Sequence, residues 1–311
     1  MKPEDFIEIS TTIRVWEKRL LSNADMGRIL GVSDVFDTLK QISQSTDYNF
    51  LSLTRVEGYE NLLKDGMKSM YSALYKICPH EPVIDISAAK YDFLDLKAAL
   101  KSKYVNNIIP NFSDLPKHLQ DAANAVETAF SESGDPQTID IETDKQMFDY
   151  ILSLCKGINS ELITEYVKLM IDFHNIKTLL RAKNMRLSGS FFGKALLNNG
   201  LTDKKFFLEH YGKPLNSLSS AFYYKYFGNM VKDGITAYSK TGNFSLLEKL
   251  FDNYLIDHTK KAKYIAFGPE IPFVYILSKE NEARQIRVLV TGRNNGFGTE
   301  ALMERLRDNY A

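Results

Sequence analysis

The residues of this chain whose types could do covalent or metal chemistry are five histidines, two cysteines and a few close pairs of acids, and their spacing argues against each use. His80, His118, His174, His210 and His258 are scattered, with no HExxH and no second His or Cys at ligand spacing, so no zinc site is encoded. Glycines at 292, 296 and 298 trail a helical pattern and lack the Lys-Ser/Thr of a phosphate loop; they read as a helix C-cap and turn. Acid pairs such as Glu280 with Glu282, or Asp140 with Glu142, are ordinary on helices and at loop ends, and nothing gathers them around a pocket. Cys78 and Cys155 each sit within a helical apolar pattern, which suits buried thiols in a reducing compartment better than a disulfide framework. These residues imply no catalytic group, no metal and no cofactor, and leave electrostatic docking as the chemistry to look for.

One recurring stretch carries that electrostatics. Asp172 to Lys183 reads DFHNIKTLLRAK, Asp92 to Lys103 reads DFLDLKAALKSK, and Glu282 to Arg293 reads EARQIRVLVTGR. An acid opens and a base closes each copy, which complements the helix macrodipole at both ends and predicts three anchor helices of about three turns. Positions one, four, five, eight and twelve then share a side, in the middle copy Asp172, Asn175, Ile176, Leu179 and Lys183. Positions six and ten lie opposite and carry Lys97 with Lys101, Lys177 with Arg181, and Arg287 with Thr291. That row is either a solvated helix face or a surface that meets an acidic partner. The copies lie 80 and 110 residues apart (172 − 92 and 282 − 172), as when one unit is repeated and then takes up insertions.

The surrounding chain is patterned for helices throughout and has no alternating stretch of useful length, so the fold class is all-α. A first helix is predicted from Pro3 to about Leu21, with Trp16 in the core and Ile13-Arg14-Val15 echoing Ile286-Arg287-Val288. Asp25 is expected to cap a short helix, and Ser33 or Asp34 another that ends near Ser43; a longer helix spans 54–77. Ser113 is expected to cap a helix reaching about Phe130, and SESGDP after it reads as a hinge. FDYIL at 148–152 and FDNYL at 251–255 precede their anchor segments by 23 and 30 residues (172 − 149 and 282 − 252), the difference matching an apparent insertion, FGPEIPF, at 267–273. The repeating unit is therefore at least a helical hairpin. NNGLTD at 198–203 resembles NNGFGTE at 294–300, each read as delivering a Thr cap, with Asn106-Asn107 leading to Ser113-Asp114 as a weaker third case. Phe206, Phe207, Tyr211, Phe222, Tyr223, Tyr224, Tyr226 and Phe227 read as aromatic core between helices.

With 39 basic and 39 acidic residues the chain is formally neutral, which excludes whole-molecule attraction to nucleic acid or anionic lipid. Charge is regional instead: five acids and no base from Glu132 to Asp144, against eight bases and two acids from Lys177 to Lys213. No secretory signal opens the chain and no run of about 18 apolar residues could span a bilayer, so work at a membrane would go through other proteins.

FGPEIPFVYILSKENEARQIRVLVTGR, then EALMERLRDNYA, together with YVKLMIDFHNIKTLLRAKN and RVWEKRLLS, resemble the C subunit of the prokaryotic V/A-type rotary ATPases, the counterpart of the d subunit in eukaryotic V-ATPases. The resemblance runs over essentially the full length. It implies a funnel of three similar helical-hairpin domains about a pseudo-threefold axis, here divided at 1–110, 111–190 and 191–311. The funnel would rest on the cytoplasmic face of the membrane rotor ring, as a peripheral part of a membrane-bound complex. It would receive the shaft, subunits D and F, and would pass torque without being an enzyme. Arg14, Lys97, Lys177, Arg181, Arg284 and Arg287 are the candidates for the shaft or ring interface, with intramolecular pairing to nearby acids as the competing role. The alternative function is a helical-repeat scaffold that binds a peptide or protein partner along a concave face.

Overall fold

All regular structure among the described residues is helical, as the lack of alternating apolar patterns predicts. The structure is a computed structural model and describes residues 2–106, 110–223 and 228–311. In chain order the helices are α1 (Ile7–Trp16), α2 (Asn23–Leu30), α3 (Val35–Ser45), α4 (Tyr59–Ile77), α5 (Pro82–Asn106), α6 (Lys117–Ser133), α7 (Pro136–Ile158), α8 (Glu161–Asn184), α9 (Gly189–Ala195), α10 (Lys204–Tyr211), α11 (Leu215–Tyr223), α12 (Gly228–Thr241), α13 (Ser245–Thr259), α14 (Glu270–Asn294) and α15 (Thr299–Arg305). The chain divides into two compact units, Met1–Ile84 with Leu215–Ala311, and Asp85–Pro214.

In the first unit α14 is the central element. Ala283, Ile286, Leu289 and Val290 of α14, with Leu302 of α15, pack with Met26 and Ile29 of α2, Leu39 and Ile42 of α3, and Leu63 of α4. Each of the Leu, Ile, Val and Met side chains among them contributes about 1.5–3 kcal/mol by leaving water. Gly66 of α4 lies against the Tyr48 ring, where a Cβ would collide with it. The first helix is shorter than the pattern predicts: 3-10 turns at Pro3–Phe6 and Glu17–Arg19 bracket α1. Trp16 is half-buried against Tyr275, their ring centroids 5.7 Å apart. Ser22, not Asp25, caps α2; Asp25 sits at the third helical position, where its carboxylate bonds back to Ser22 and completes a capping box. Asp34 caps α3 by accepting from the N–H groups of Phe36 and Asp37.

In the second unit α6 packs against α7 as a hairpin. Gly134 (φ 64°) closes α6 in the left-handed region and Asp135 caps α7, so SESGDP is a tight corner between packed helices where the sequence suggests a hinge. Pro116 takes the N-cap place expected for Ser113, whose hydroxyl donates instead to Asn111 Oδ1. α8 is buried on most sides, through Ile163, Val167, Leu169, Ile171, Phe173, Ile176, Leu179 and Leu180. Both cysteines are buried and form no disulfide; the Cys78 thiol donates to His80 O, and burial pushes the Cys155 thiol up to about 11. Phe207 and Phe222 are core, as expected, while Asn107, Tyr224, Tyr226, Phe227 and the side chain of Tyr223 lie outside the described residues.

Candidate interface helices

The three anchor segments are the C-terminal halves of α5, α8 and α14, helices of 25, 24 and 25 residues. Their closing bases Lys103, Lys183 and Arg293 do stand in last turns, but Asp92, Asp172 and Glu282 are mid-helix, where the macrodipole does nothing for them. The acids serve in another way. Asp172, fully buried, accepts from Thr202 N–H at 2.9 Å and 3.2 Å, and Asn175 both accepts from Leu197 N–H at 2.8 Å and donates to Leu197 O at 3.0 Å. A Cβ on Gly200 would run into Asp172 Oδ1, so this close approach requires glycine. In α14, Glu282 accepts from Leu21 N–H at 2.9 Å and is ion-paired with Lys279, both side chains being nearly fully buried. Gln285 there donates to Asn309 Oδ1. Asp92 and Asp95 of α5 stay exposed.

α8 and α14 repeat without a gap at a constant offset of 110 residues (294 − 184), and so do the turn and short helix after each. The turn bonds Met185 N–H to Arg181 O, Arg186 N–H to Lys183 O and Leu187 N–H to Ala182 O recur as Asn295 to Thr291, Gly296 to Arg293 and Phe297 to Gly292. Arg186 (φ 53°) and Gly296 (φ 73°) hold the same left-handed place. Seven-residue helices then begin at Gly189 and Thr299, seating Phe192 and Leu302 in the core. The structural partner of NNGFGTE is thus 184–190, and NNGLTD lies one short helix further on. The two texts match because Asn199 (φ 66°) and Gly296 serve the same kind of positive-φ turn at different places. The caps differ from expectation accordingly: Asp203 caps α10 and Gly298 precedes α15, so neither Thr202 nor Thr299 is a cap. FDYIL and FDNYL do fall in the preceding helices, α7 and α13. The extra residues lie within the connection 260–269 between α13 and α14, and the last part of FGPEIPF belongs to the first turn of α14.

Position twelve acts as a staple. Lys183 donates to Tyr211 O and to Lys213 O (2.6 Å) at the end of α10; Arg293 donates to Leu30 O (2.9 Å) at the end of α2 and to Phe297 O (3.0 Å); Lys103 pairs with Glu127 of α6. A cation beside terminal carbonyls is favoured by their partial negative charge.

Of the six interface candidates, three lie around His174. Lys97 pairs with Asp144 of α7 at 2.6 Å, and with Lys177 and Arg181 of α8 it lies close enough to bear on His174. Burial, first, and those three cations hold His174 neutral, down to about 4, against the opposing pull of Asp144. Lys101 bonds Asp140 at 2.7 Å, so part of the acidic stretch is matched inside its own unit. Lys177 is half-buried and Arg181 exposed. On α14, Arg284 pairs with Asp252 at 2.9 Å, sharing that oxygen with Arg307, and Arg287 grips Glu60 with Nε and Nη2 at 2.8–3.2 Å. Arg14 stands apart: it pairs with Glu17 and donates to the carbonyls of Ala262 and Ile265, both at 2.8 Å. The pairs of Lys97, Arg284 and Arg287 are therefore tertiary, where the sequence suggested acids one or two turns away. The buried polar clamps at positions one and four escaped sequence reading, although an Asp and an Asn on the apolar side of a helix were their signal. Among the described residues no group of three or more His, Cys, Asp or Glu could hold a metal, and no helix is long and apolar enough to cross a membrane.

The model of the ATP synthase (C/AC39) subunit family matches residues 9–305. The chain is 23% identical to the C subunit of the V-type sodium ATPase of Enterococcus hirae, over 98% of this chain and 99% of that one. It is 24% identical to the C subunit of the A-type ATP synthase of Thermococcus kodakarensis (94% and 87% covered) and 22% identical to that of Methanocaldococcus jannaschii (96% and 85%).

Proposed function

The chain belongs to the ATP synthase (C/AC39) subunit family, and from that premise we propose that it is a non-catalytic central-stalk subunit of a rotary V/A-type ATPase. It joins the rotating shaft, subunits D and F, to the proteolipid rotor ring at the cytoplasmic face of the membrane, and transmits torque for ATP-coupled H⁺ or Na⁺ transport. Its three helical repeats, at 1–110, 111–190 and 191–311, surround a pseudo-threefold axis as a funnel that seats the shaft.

The observation that carries this reading is the recurrence of one long helix, turn and seven-residue helix at a constant offset, with the same backbone bonds closing each turn. Repeats about an axis offer like faces to a single axial shaft and a broad base to a ring of equal subunits. A coupler must also deform less than the drive it passes on. Buried carboxylate and amide clamps on otherwise irregular backbone supply that stiffness, since each keeps a segment from moving unless a polar group is stranded. Lys97, Lys177 and Arg181 form one candidate contact, Arg284 and Arg287 another, and Arg14 serves through the loop it holds.

Pull-down of the purified chain with shaft subunits and detergent-solubilised ring tests the socket itself; capture of neither ends this reading. Reversing charge at Lys177 and Arg181 together is expected to weaken reassembly and lower ion-coupled ATP hydrolysis. Unchanged reassembly and coupling would remove this pair from the interface.

A further inference from the structure

Between α13 and α14 lies a ten-residue connection, 260–269, where the corresponding helices α7 and α8 are joined by two residues, 159 and 160. Two residues suffice to join such a pair, and the longer connection is fixed by contacts of its own. Its 3-10 turn, Lys260–Tyr264, buries Ala262 completely. Arg14 reaches from α1 to bond the carbonyls of Ala262 and Ile265, and is itself held by both oxygens of Glu17, at 3.0 Å and 2.8 Å. Lys263 Nζ lies 4.9 Å from the Tyr310 ring centroid, and Ile265 N–H closes the turn onto Ala262 O. Pro269 is buried and stiffens the exit.

On this fixed base the outward side chains are aromatic and basic. Tyr264 is 94% exposed, the most exposed of the large hydrophobic side chains described, and Phe267 is 36% exposed. Lys261 and Lys263 are exposed, Lys260 is half-buried and pairs with Asp257 of α13 at 3.4 Å, and residues 260–269 include no acid. A tyrosine displayed on a pre-ordered backbone is costly to leave in water and loses little entropy on docking, which is the usual make-up of an interface anchor. Lysines around it select a negative counterpart.

We infer that the loop 260–269, with Tyr264 as its anchor, docks on an acidic protein surface of the rotary complex, and that Arg14 is a positioning residue for that loop and makes no contact with the partner. The inference rests on the coupling role proposed above and adds the contact element and the charge of the surface it meets.

The experiment measures binding of the chain to the complex lacking it, with the wild type, Tyr264→Ala, and a Lys260→Glu, Lys261→Glu, Lys263→Glu triple variant. Tyr264→Ala is expected to weaken binding about 30-fold, as an anchor residue does, with an unchanged thermal unfolding midpoint. The triple variant weakens it further and flattens its dependence on salt. Arg14→Ala reproduces part of the Tyr264→Ala loss and speeds hydrogen exchange at the Ile265 amide, and in a Tyr264→Ala background it adds less than it costs alone. Wild-type binding with unchanged affinity in Tyr264→Ala and the triple variant overturns the loop and leaves the coupling role standing. No binding by the wild type overturns both. If phosphatidylserine vesicles bind the wild type and not the triple variant, while affinity for the complex is unchanged, the loop faces a membrane and the acidic-protein assignment is wrong.

Discussion

The middle anchor helix α8, with its turn and α9, and the last, α14, with its turn and α15, share a backbone and hold different things with it. Position one is Asp172 in the middle copy, binding a backbone N–H thirty residues ahead, and Glu282 in the last, binding the N–H of Leu21 near the opposite end of the chain. Position twelve stops α10 in one and α2 in the other. The middle helix thus secures its own sequel, while the last gathers in the N-terminal segment. This is one physical cause of a unit made from Met1–Ile84 and Leu215–Ala311, two stretches far apart in sequence. A repeated scaffold can keep its bonds and exchange its cargo, because a helix positions a polar group without specifying which segment will meet it.

Deleting the two acids has the largest expected effect. Glu282→Ala strands the Lys279 ammonium in the core along with the Leu21 N–H and is expected to cost about 3–5 kcal/mol by urea unfolding. Asp172→Ala strands the Thr202 N–H and should cost about 2 kcal/mol. A loss of only about 1 kcal/mol for Glu282→Ala would mean that the Lys279 pair contributes nothing beyond the Leu21 bond.

Position three offers a second contrast, the neutral His174 against the paired Arg284. An unfolded histidine takes up its proton near 6.5 and the folded one only near 4, so the unfolded state binds more protons between those values. The unit holding α8 should therefore lose stability as pH falls through that window, by up to about 3 kcal/mol from His174 and with a contribution of the same sign from His118, whose burial also lowers its pKa. Hydrogen exchange at pH 7 and pH 5 reads this unit by unit, and His174→Asn should flatten the response of α8. Equal loss of protection in α14 would refute the assignment to His174.

The smallest effect concerns the turns. Arg186 bears a left-handed conformation that Gly296 adopts without strain. Arg186→Gly should stabilise by roughly 0.5–1 kcal/mol and Gly296→Ala should destabilise by about 1 kcal/mol, measured as shifts of the unfolding midpoint. If the two changes act with the same sign, the turns are not equivalent.

Much of this was legible along the chain. Apolar spacing and breakers marked the helices, and the anchor text marked three sites on three long helices; an Asp and an Asn on the same side as Ile176 and Leu179 were a signal of the buried clamps that went unread. Local rules misled where two residues could do one job. Ser22 and Asp25 both suit a helix start, and Asn-Gly text fits any positive-φ turn, so resemblance placed NNGLTD one helix too far along. The partners were out of reach. That Lys97 meets Asp144, Arg287 meets Glu60 and Glu282 meets Leu21 depends on which surfaces the core brings together, and ion pairs follow packing because their own free energy is too small to direct it. The amino-acid order determined where helices form and which positions must be buried or paired; the tertiary structure alone decided with whom, since burial is non-directional and only the packed core turns it into contacts between named residues.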